Sequence, residues 1–381
     1  MRWLFLWGLL AATPAMAQHA RFDVVTRVNY HGAVSPDGEH LAYYSLQGIR
    51  VAPITRRRGP VIAAPEPSAC ATLVWSPNSE RLAFVAADGV YVWNRVSESV
   101  VRLAGFSGSG SYRCAIAFDE VNRLLWVGRT ERTYAIFRES EGEPTLVQTT
   151  SVSHFGFGPT ETSPRLSSRR LPFVYAWSHA AERSARIRAG ERILERIHLT
   201  TGHRDVIRTG DDFLVPENPV GPSGRICIER AERQRVFCMG PDRDQWTELP
   251  LPDGATALQV ESRFHRSPFS PSGRYLLLHA LRGRHYDLAI HDFQRGQTRR
   301  VHERAYIDRD WQSDDLLLLS EPLDRERPGL VRLDLRTGRQ RALVRPGVEL
   351  VRPIFVPRRD DLFFIGRERE STRDLVRARV P

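Results

Sequence analysis

The sequence predicts an all-β protein, a β-propeller of four-stranded antiparallel blades with eight blades, or alternatively seven. Three observations predict this fold. A strand–turn–strand pattern recurs along the chain, a second strand–turn–strand pattern follows most copies, and the two chain ends supply complementary parts of one unit. Short, regularly spaced strands of this kind are typical of propellers, which close a ring and thereby protect most sheet edges.

The first pattern is clearest in AVSPDGEHLAYYS at 33–45, where Pro36, Asp37 and Gly38 favour a β-turn before an apolar strand. LVWSPNSERLAFVA at 73–86 is a close copy. PFSPSGRYLLLHA at 268–280 is another copy, and four weaker copies follow the same pattern. Their turns define equivalent points at Ser35, Ser76, Asp119, Gly221, Ser270, Gln312 and Val356. The short gaps between these points run from 41 to 49 residues, and the one long gap has room for a further, irregular unit. This period is that of a propeller blade.

The residue before each equivalent point is large and apolar in every unit. We expect this column to pack between neighbouring blades, because a chance pattern would not be so consistent. Its members are Val34, Trp75, Phe118, Phe157, Val220, Phe269, Trp311 and Phe355.

The two ends of the chain complement each other. The last unit, which begins near 354, stops after its third strand, whereas RFDVVTRV at 21–28 is a spare strand before the first unit. We predict that this N-terminal strand completes the last blade and closes the ring. Residues 18–381 then form a single propeller domain.

Residues 1–17 have the features of a secretory signal peptide. A positive start precedes an apolar run that is too short to span a bilayer, and small residues at Ala15 and Ala17 suit cleavage. We therefore expect a periplasmic or secreted, monomeric protein with no transmembrane segment in the mature chain.

The SPDG–strand repeat behind a signal peptide resembles the WD40-like repeats of the TolB family, the propeller of the Tol-Pal envelope system. It is also similar to the propeller domain of prolyl oligopeptidases. The resemblance covers nearly all of the mature chain. It implies a propeller fold and a non-catalytic binding or scaffold role in the cell envelope.

The net charge is +10, and all 55 basic residues are arginines. Arginine favours bidentate contacts with carboxylates and phosphates, although a biased genome composition also explains its use here. Because nucleic acid is not expected outside the cytoplasm, an envelope protein or an anionic envelope polymer is the expected partner.

Four cysteines in an exported chain predict two disulfides. Cys227 and Cys238 face each other if a hairpin turn centres between Glu232 and Arg233. Cys70 and Cys114 would then form the second pair. The cysteine spacing fits no metal motif, and free thiols are the alternative.

A ring of ionisable residues is the candidate binding site. Four residues before each equivalent point the innermost strand begins, so these positions meet near one mouth of the central channel. Six of the eight are ionisable. They either bind a ligand or partner, or satisfy each other as salt bridges between blades. They are His31, His154, Glu217, Arg266, Asp308 and Arg352.

The catalytic motifs that we sought are absent or incomplete. GFSGSGS at 105–111 is not a GxSxG motif, DRDWQSDD at 308–315 lacks the pattern of a calcium-binding loop, and the arginine run at 55–60 reads as a solvated turn. We therefore predict no cofactor, no metal and no enzymatic activity. The alternatives are a lyase or hydrolase working at the channel mouth, and a detached propeller that regulates a separate hydrolase.

Overall fold

The computed structural model confirms the all-β propeller class. The described residues contain no helix, and therefore none long and apolar enough to cross a membrane. Residues 1–20, with the predicted signal peptide, lie outside the described part. The structure describes residues 21–26, 32–45, 47–56, 59–63, 73–86, 89–105, 116–118, 122–129, 134–140, 143–150, 154–156, 173–179, 192–198, 201–216, 220–230, 232, 234–240, 245–260, 267–303, 308–322, 328–344, 349–356, 362–369 and 372–379.

The described strands form eight four-stranded antiparallel sheets, which we number along the ring. Sheet 1 contains β2 (Gly32–Val34), β3 (His40–Ser45), β4 (Gly48–Pro53) and β5 (Val61–Ala63). Sheet 2 contains β6 (Leu73–Trp75), β7 (Arg81–Ala86), β8 (Gly89–Asn94) and β9 (Ser99–Gly105). Sheet 3 contains β10 (Ile116–Phe118), β11 (Leu124–Arg129), β12 (Tyr134–Ser140) and β13 (Glu143–Thr150). Sheet 4 contains β14 (His154–Gly156), β15 (Phe173–His179), β16 (Arg192–His198) and β17 (Arg204–Gly210).

The second half of the chain repeats this meander. Sheet 5 contains β18 (Phe213–Leu214), β19 (Ile226–Arg230), β20 (Arg235–Met239) and β21 (Thr247–Glu248). Sheet 6 contains β22 (Ala257–Val260), β23 (Tyr275–Arg282), β24 (His285–Asp292) and β25 (Gln297–His302). Sheet 7 contains β26 (Asp308–Trp311), β27 (Leu316–Pro322), β28 (Pro328–Asp334) and β29 (Gln340–Val344). Sheet 8 contains β30 (Glu349–Phe355), β31 (Leu362–Arg369), β32 (Thr372–Arg379) and, from the other end of the chain, β1 (Arg21–Thr26).

The N-terminal strand closes the ring as the sequence predicts. β1 pairs antiparallel with β32, with Arg21 opposite Arg379 and Val24 opposite Val376. The strand order in sheet 8 is β1–β32–β31–β30, so β1 is the outer strand that the C-terminal unit lacks. The two chain ends are thereby held in one sheet.

Apolar side chains fill the seams between neighbouring sheets. Val34 of sheet 1 packs in one cluster with Ile354 of sheet 8, and Trp75 of sheet 2 packs with Ala33 of sheet 1. The Trp75 indole also donates a 3.0 Å hydrogen bond to the Ala33 carbonyl. The predicted apolar column is confirmed for six residues that lie in or against such inter-sheet clusters, and Phe157 lies outside the described residues. The six are Val34, Trp75, Phe118, Val220, Phe269 and Trp311.

One of the two predicted disulfides is present in the described residues. Cys227 on β19 lies opposite Cys238 on β20, with their Cα atoms 4.1 Å apart, and the two sulfurs are bonded. Arg230 pairs with Arg235, so the hairpin turn centres where the sequence places it. Cys70 and Cys114 lie outside the described residues, and their pairing stays a prediction.

Candidate functional site

The candidate site lies on the face of the ring that carries the repeated turns. We call this the turn face: it holds the turns between first and second strands, such as residues 35–39, and those between third and fourth strands, such as 292–296. The two kinds of turn are adjacent, because Phe293 donates its N–H to the Arg274 carbonyl at 3.0 Å. The opposite face holds the starts of the first strands and the predicted channel mouth.

The first turn of each clear repeat is fixed by its serine. Ser35 Oγ accepts the N–H of His40 at 2.9 Å, and Ser270 Oγ accepts the N–H of Tyr275 at 3.0 Å. Gly38 adopts a φ of 74°, a left-handed conformation that suits glycine. These turns therefore have defined backbone conformations.

Three arginines on the turn face join neighbouring sheets. Arg95 of sheet 2 pairs with Asp37 of sheet 1 at 3.0 Å. Arg81 of sheet 2 donates to both carboxylate oxygens of the buried Glu139 of sheet 3, at 2.6 and 2.7 Å. Arg377 of sheet 8 donates to the Ile54 carbonyl beside sheet 1 at 2.8 Å. These three guanidinium groups form contacts between sheets, and two of them are neutralised by a carboxylate.

The seam between sheets 6 and 7 differs, because it opens into a groove of about 220 Å³. Four guanidinium groups and two carboxylates line it, which leaves a surplus of positive charge. We call this feature the seam groove. Its lining residues are Arg274, Tyr275, Asp292, Arg295, Gln297, Arg299, Asp315, Leu335 and Arg336.

The charged side chains of the inner wall of the seam groove are held by contacts with neighbouring residues. Arg274 Nη2 lies 2.9 Å from Asp292 Oδ2, and the guanidinium lies over the Tyr275 ring, 4.6 Å from its centroid. Tyr275 Oη lies 3.5 Å from Asp315 Oδ1, and Arg299 donates to the Leu335 carbonyl across the seam. Burial raises the pKa of Tyr275, which disfavours its phenolate form.

The outer rim of the seam groove carries accessible charge. Arg295 is 72% exposed, and its Nε lies 3.9 Å from Asp292. Arg336 is exposed on the equivalent turn of sheet 7. That turn is held by Asp334, whose Oδ1 accepts the N–H groups of Arg336 at 2.8 Å and Thr337 at 3.0 Å. Two guanidinium groups on rigid turns of neighbouring sheets therefore face solvent beside one groove.

The predicted channel-mouth residues are only partly placed by the structure. Asp308 and Arg352 lie on the first strands of sheets 7 and 8, β26 and β30, which contact each other. His154 begins β14, the first strand of sheet 4. His31, Glu217 and Arg266 lie outside the described residues. The first strands of sheets 5, 6 and 8 begin at Phe213, Ala257 and Glu349. The prediction that they begin at positions 217, 266 and 352 is therefore wrong. A binding role for this ring stays a prediction.

The carboxylates of the acidic run at 308–315 contact different neighbouring sheets. Asp310 accepts the N–H of Phe355 from sheet 8 at 2.7 Å, and Asp314 accepts the N–H of Ser272 from sheet 6 at 2.9 Å. Within the described part of the chain, no group of three or more His, Cys, Asp or Glu side chains could hold a metal ion. At Asp310 and Asp314 the run therefore anchors backbone groups of the neighbouring sheets.

Two partly or fully buried titratable groups lie away from the seam groove. Burial raises the pKa of Glu229 on β19 to about 7, although its carboxylate accepts the N–H of Val260 at 2.7 Å. Burial lowers the pKa of His291 to about 4, and its Nδ1 lies 2.9 Å from Thr298 Oγ1. Each makes the stability of the propeller depend on pH.

No protein-family model matches the sequence, and no curated protein matches it. Solved structures do match. An oligogalacturonate lyase from Vibrio parahaemolyticus is 12% identical with a TM-score of 0.54, covering 95% of this chain and 99% of its own. The WD40 domain of SCAP from fission yeast is 11% identical with a TM-score of 0.53, covering 97% and 96%. Dipeptidyl peptidase 4 from Porphyromonas gingivalis is 10% identical with a TM-score of 0.56, covering 93% of this chain and 58% of its own.

These comparisons agree with the sequence on the class of protein. The chain is a β-propeller with WD40-like sheets, and the resemblance stated from its repeats is confirmed at the level of the fold. Identities this low relate folds and transfer no function.

The seam groove was not predicted from the sequence. Arg295 and Arg336 lie in two separate tight turns, DFQRGQ and DLRTGR, about 40 residues apart. The recurrence of these turns was visible, and each carries an arginine. Only the packing of sheet 6 against sheet 7 places the two arginines at one groove.

Proposed function

We propose that the mature chain, residues 18–381, is an exported binding propeller without catalytic activity that docks an anionic partner of the cell envelope on one face of its ring. The seam groove carries the proposal. Arg81, Arg95 and Arg377 are held in pairs across other seams. Beside this groove, in contrast, Arg295 and Arg336 are exposed to solvent.

Two further observations support an exported binding role. A buried disulfide between Cys227 and Cys238 suits a protein that folds in an oxidising compartment. The propeller fold supports docking because its rigid turns present side chains from neighbouring sheets on one surface. The partner that we propose is an envelope protein with an acidic surface.

Crosslinking in the native envelope tests the proposal. The tagged mature protein is crosslinked, purified and analysed by mass spectrometry, beside two variants. One carries Arg295→Glu and Arg336→Glu on the turn face, and the other carries Arg266→Ala and Arg352→Ala on the predicted channel-mouth ring. We expect a specific envelope protein with the wild type and its loss from one variant. Capture of no specific protein contradicts the proposal, and capture of a hydrolase favours a regulatory propeller.

The second candidate is a lyase acting at the channel mouth. The similarity to oligogalacturonate lyases over nearly the whole of both chains favours it, because that propeller hosts catalysis. The mature protein is incubated with oligogalacturonate, and unsaturated products are followed by their ultraviolet absorbance. Turnover that is abolished by His31→Ala or Glu217→Gln would establish the lyase and overturn the binding proposal.

A further inference from the structure

We propose that the seam groove is a binding site for an acidic peptide segment of a partner protein, held by carboxylate contacts to Arg295 and Arg336. The inference rests on the proposed function, which it deepens by assigning the site and the ligand class. The charge, the fixed turns, the size and the hydrogen-bonding groups of the groove all favour such a ligand.

The net positive charge of the groove favours an anionic ligand, and the arginines on its rim can contact that ligand. Arg274 is already paired with Asp292, and Arg299 is held by the Leu335 carbonyl. Arg295 and Arg336, by contrast, are exposed on the rim. A guanidinium group binds a carboxylate through two parallel hydrogen bonds, so each rim arginine can take one acidic side chain.

Closed turns fix the backbone positions of the two rim arginines. The turn of sheet 6 is closed by a 2.8 Å hydrogen bond from the Gly296 N–H to the Asp292 carbonyl, and that of sheet 7 by a 2.8 Å bond from the Gly338 N–H to the Asp334 carbonyl. Little backbone entropy is lost when such turns bind a ligand. The ligand must span the seam, which indicates an extended chain with more than one carboxylate.

The groove also contains hydrogen-bond acceptors, which favour a peptide over a phosphate-rich polymer. Asp292, which is already paired with Arg274, and Asp315 repel a doubly charged phosphate more strongly than a singly charged carboxylate, and the Asp315 carboxylate can also accept N–H groups. The exposed Gln297 amide can both donate and accept. An acidic peptide offers carboxylate side chains for the arginines of the lining and backbone N–H donors for its acceptor groups.

The size of the groove agrees with this assignment. At about 220 Å³ it lies below the range of about 300–1,000 Å³ that is usual for pockets enclosing a small organic ligand. It can receive a few side chains of a segment lying across the seam. The rest of the segment would lie along the turn face.

Fluorescence polarisation tests the assignment with the mature, full propeller. The probe is a labelled peptide with several Asp and Glu residues, and its Asn/Gln counterpart is the neutral control. Arg295→Glu with Arg336→Glu is the test variant. Arg56→Glu with Arg284→Glu is the matched control variant, because it makes the same charge change at two exposed arginines outside the groove.

We expect the wild type to bind the acidic probe and not the neutral one. The groove variant should raise the dissociation constant by about tenfold or more, and the control variant by about twofold or less. Equal loss in both variants, no binding of the acidic probe, or preferential binding of oligogalacturonate or a phosphopeptide overturns the inference.

The outcome is separable from that of the proposed function. If envelope crosslinking captures a specific protein and the groove variant captures it equally well, the groove assignment is wrong and the binding propeller stands. If the wild type captures no specific protein, the proposed function is wrong.

Discussion

The backbone N–H of Asp37 donates a 2.9 Å hydrogen bond to Oγ of Ser79, and so joins the first turn of sheet 1 to the equivalent turn of sheet 2. Asn78 makes the same link to Asn122 Oδ1 of sheet 3 at 3.0 Å. Ser79 and Asn122 both have left-handed φ angles, 64° and 63°. The repeated turns therefore stabilise the ring as well as reversing the chain.

Replacing Ser79 tests this turn-to-turn link. Ser79→Ala removes the acceptor for the Asp37 N–H and should lower the free energy of unfolding by about 1 kcal/mol. Ser79→Asn keeps an acceptor and tolerates the left-handed conformation, as Asn122 does, so it should cost less. Urea unfolding of the three proteins measures the difference. Equal losses from both substitutions would contradict a role for the hydrogen bond.

Removing β1 tests the closure of the ring. Deletion of residues 18–26 leaves β32 without its outer partner, and we expect a loss of several kcal/mol and association through the exposed edge. Thermal unfolding and size-exclusion chromatography measure the two effects against the chain that begins at residue 18. An unchanged melting temperature would show that β1 does not close the ring.

The disulfide within sheet 5 should contribute measurably to stability. Cys227 and Cys238 are 11 residues apart, and closing a loop of that length stabilises the folded state by roughly 2.5–3 kcal/mol in the chain-entropy description. We expect a loss of that size from Cys227→Ala with Cys238→Ala under non-reducing conditions.

Peptide mapping gives the matching chemical control for both cysteine pairs. A non-reduced tryptic digest should link the peptides that contain Cys227 and Cys238, because trypsin cuts at the arginines between them. It should also link those that contain Cys70 and Cys114. Free thiols at either pair would contradict the corresponding disulfide.

Glu229 should make the propeller less stable as the pH rises. Burial raises its pKa from 4.5 to about 7, so the unfolded chain releases the proton first. The stabilising contribution of the protonated form is complete below pH 4.5 and is lost between pH 4.5 and 7. Glu229→Gln keeps an acceptor for the Val260 N–H and should stabilise the protein by about 3 kcal/mol at pH 8, with little effect at pH 4.

The pH series for Glu229→Gln is measured as the free energy of unfolding in urea. Glu232→Gln is the control, because Glu232 is exposed at the tip of the same hairpin. A stabilisation of Glu229→Gln that is the same at pH 4 and pH 8 would show that ionisation of Glu229 is not its cause.

The repeats were sufficient to predict the fold, because propeller sheets form from neighbours in the sequence. The turn at 35–38, the strand at 40–45 and the hairpin between Cys227 and Cys238 all depend on local turn chemistry and on alternating apolar residues. The closure by β1 was also predictable, since the first strand and the incomplete last unit complement each other.

The candidate site was not predictable in the same way. Whether an arginine forms an ion pair or faces solvent depends on the residues across its seam. Arg81 pairs with the buried Glu139, whereas Arg295 lines an open groove. The partners of each seam come from units about 40 residues apart, and no local pattern specifies their distance. The sequence by itself determined the repeated sheets and their closure; the tertiary structure alone decided which charges neutralise each other, because Coulomb energies depend on distances and burial that exist only in the packed ring.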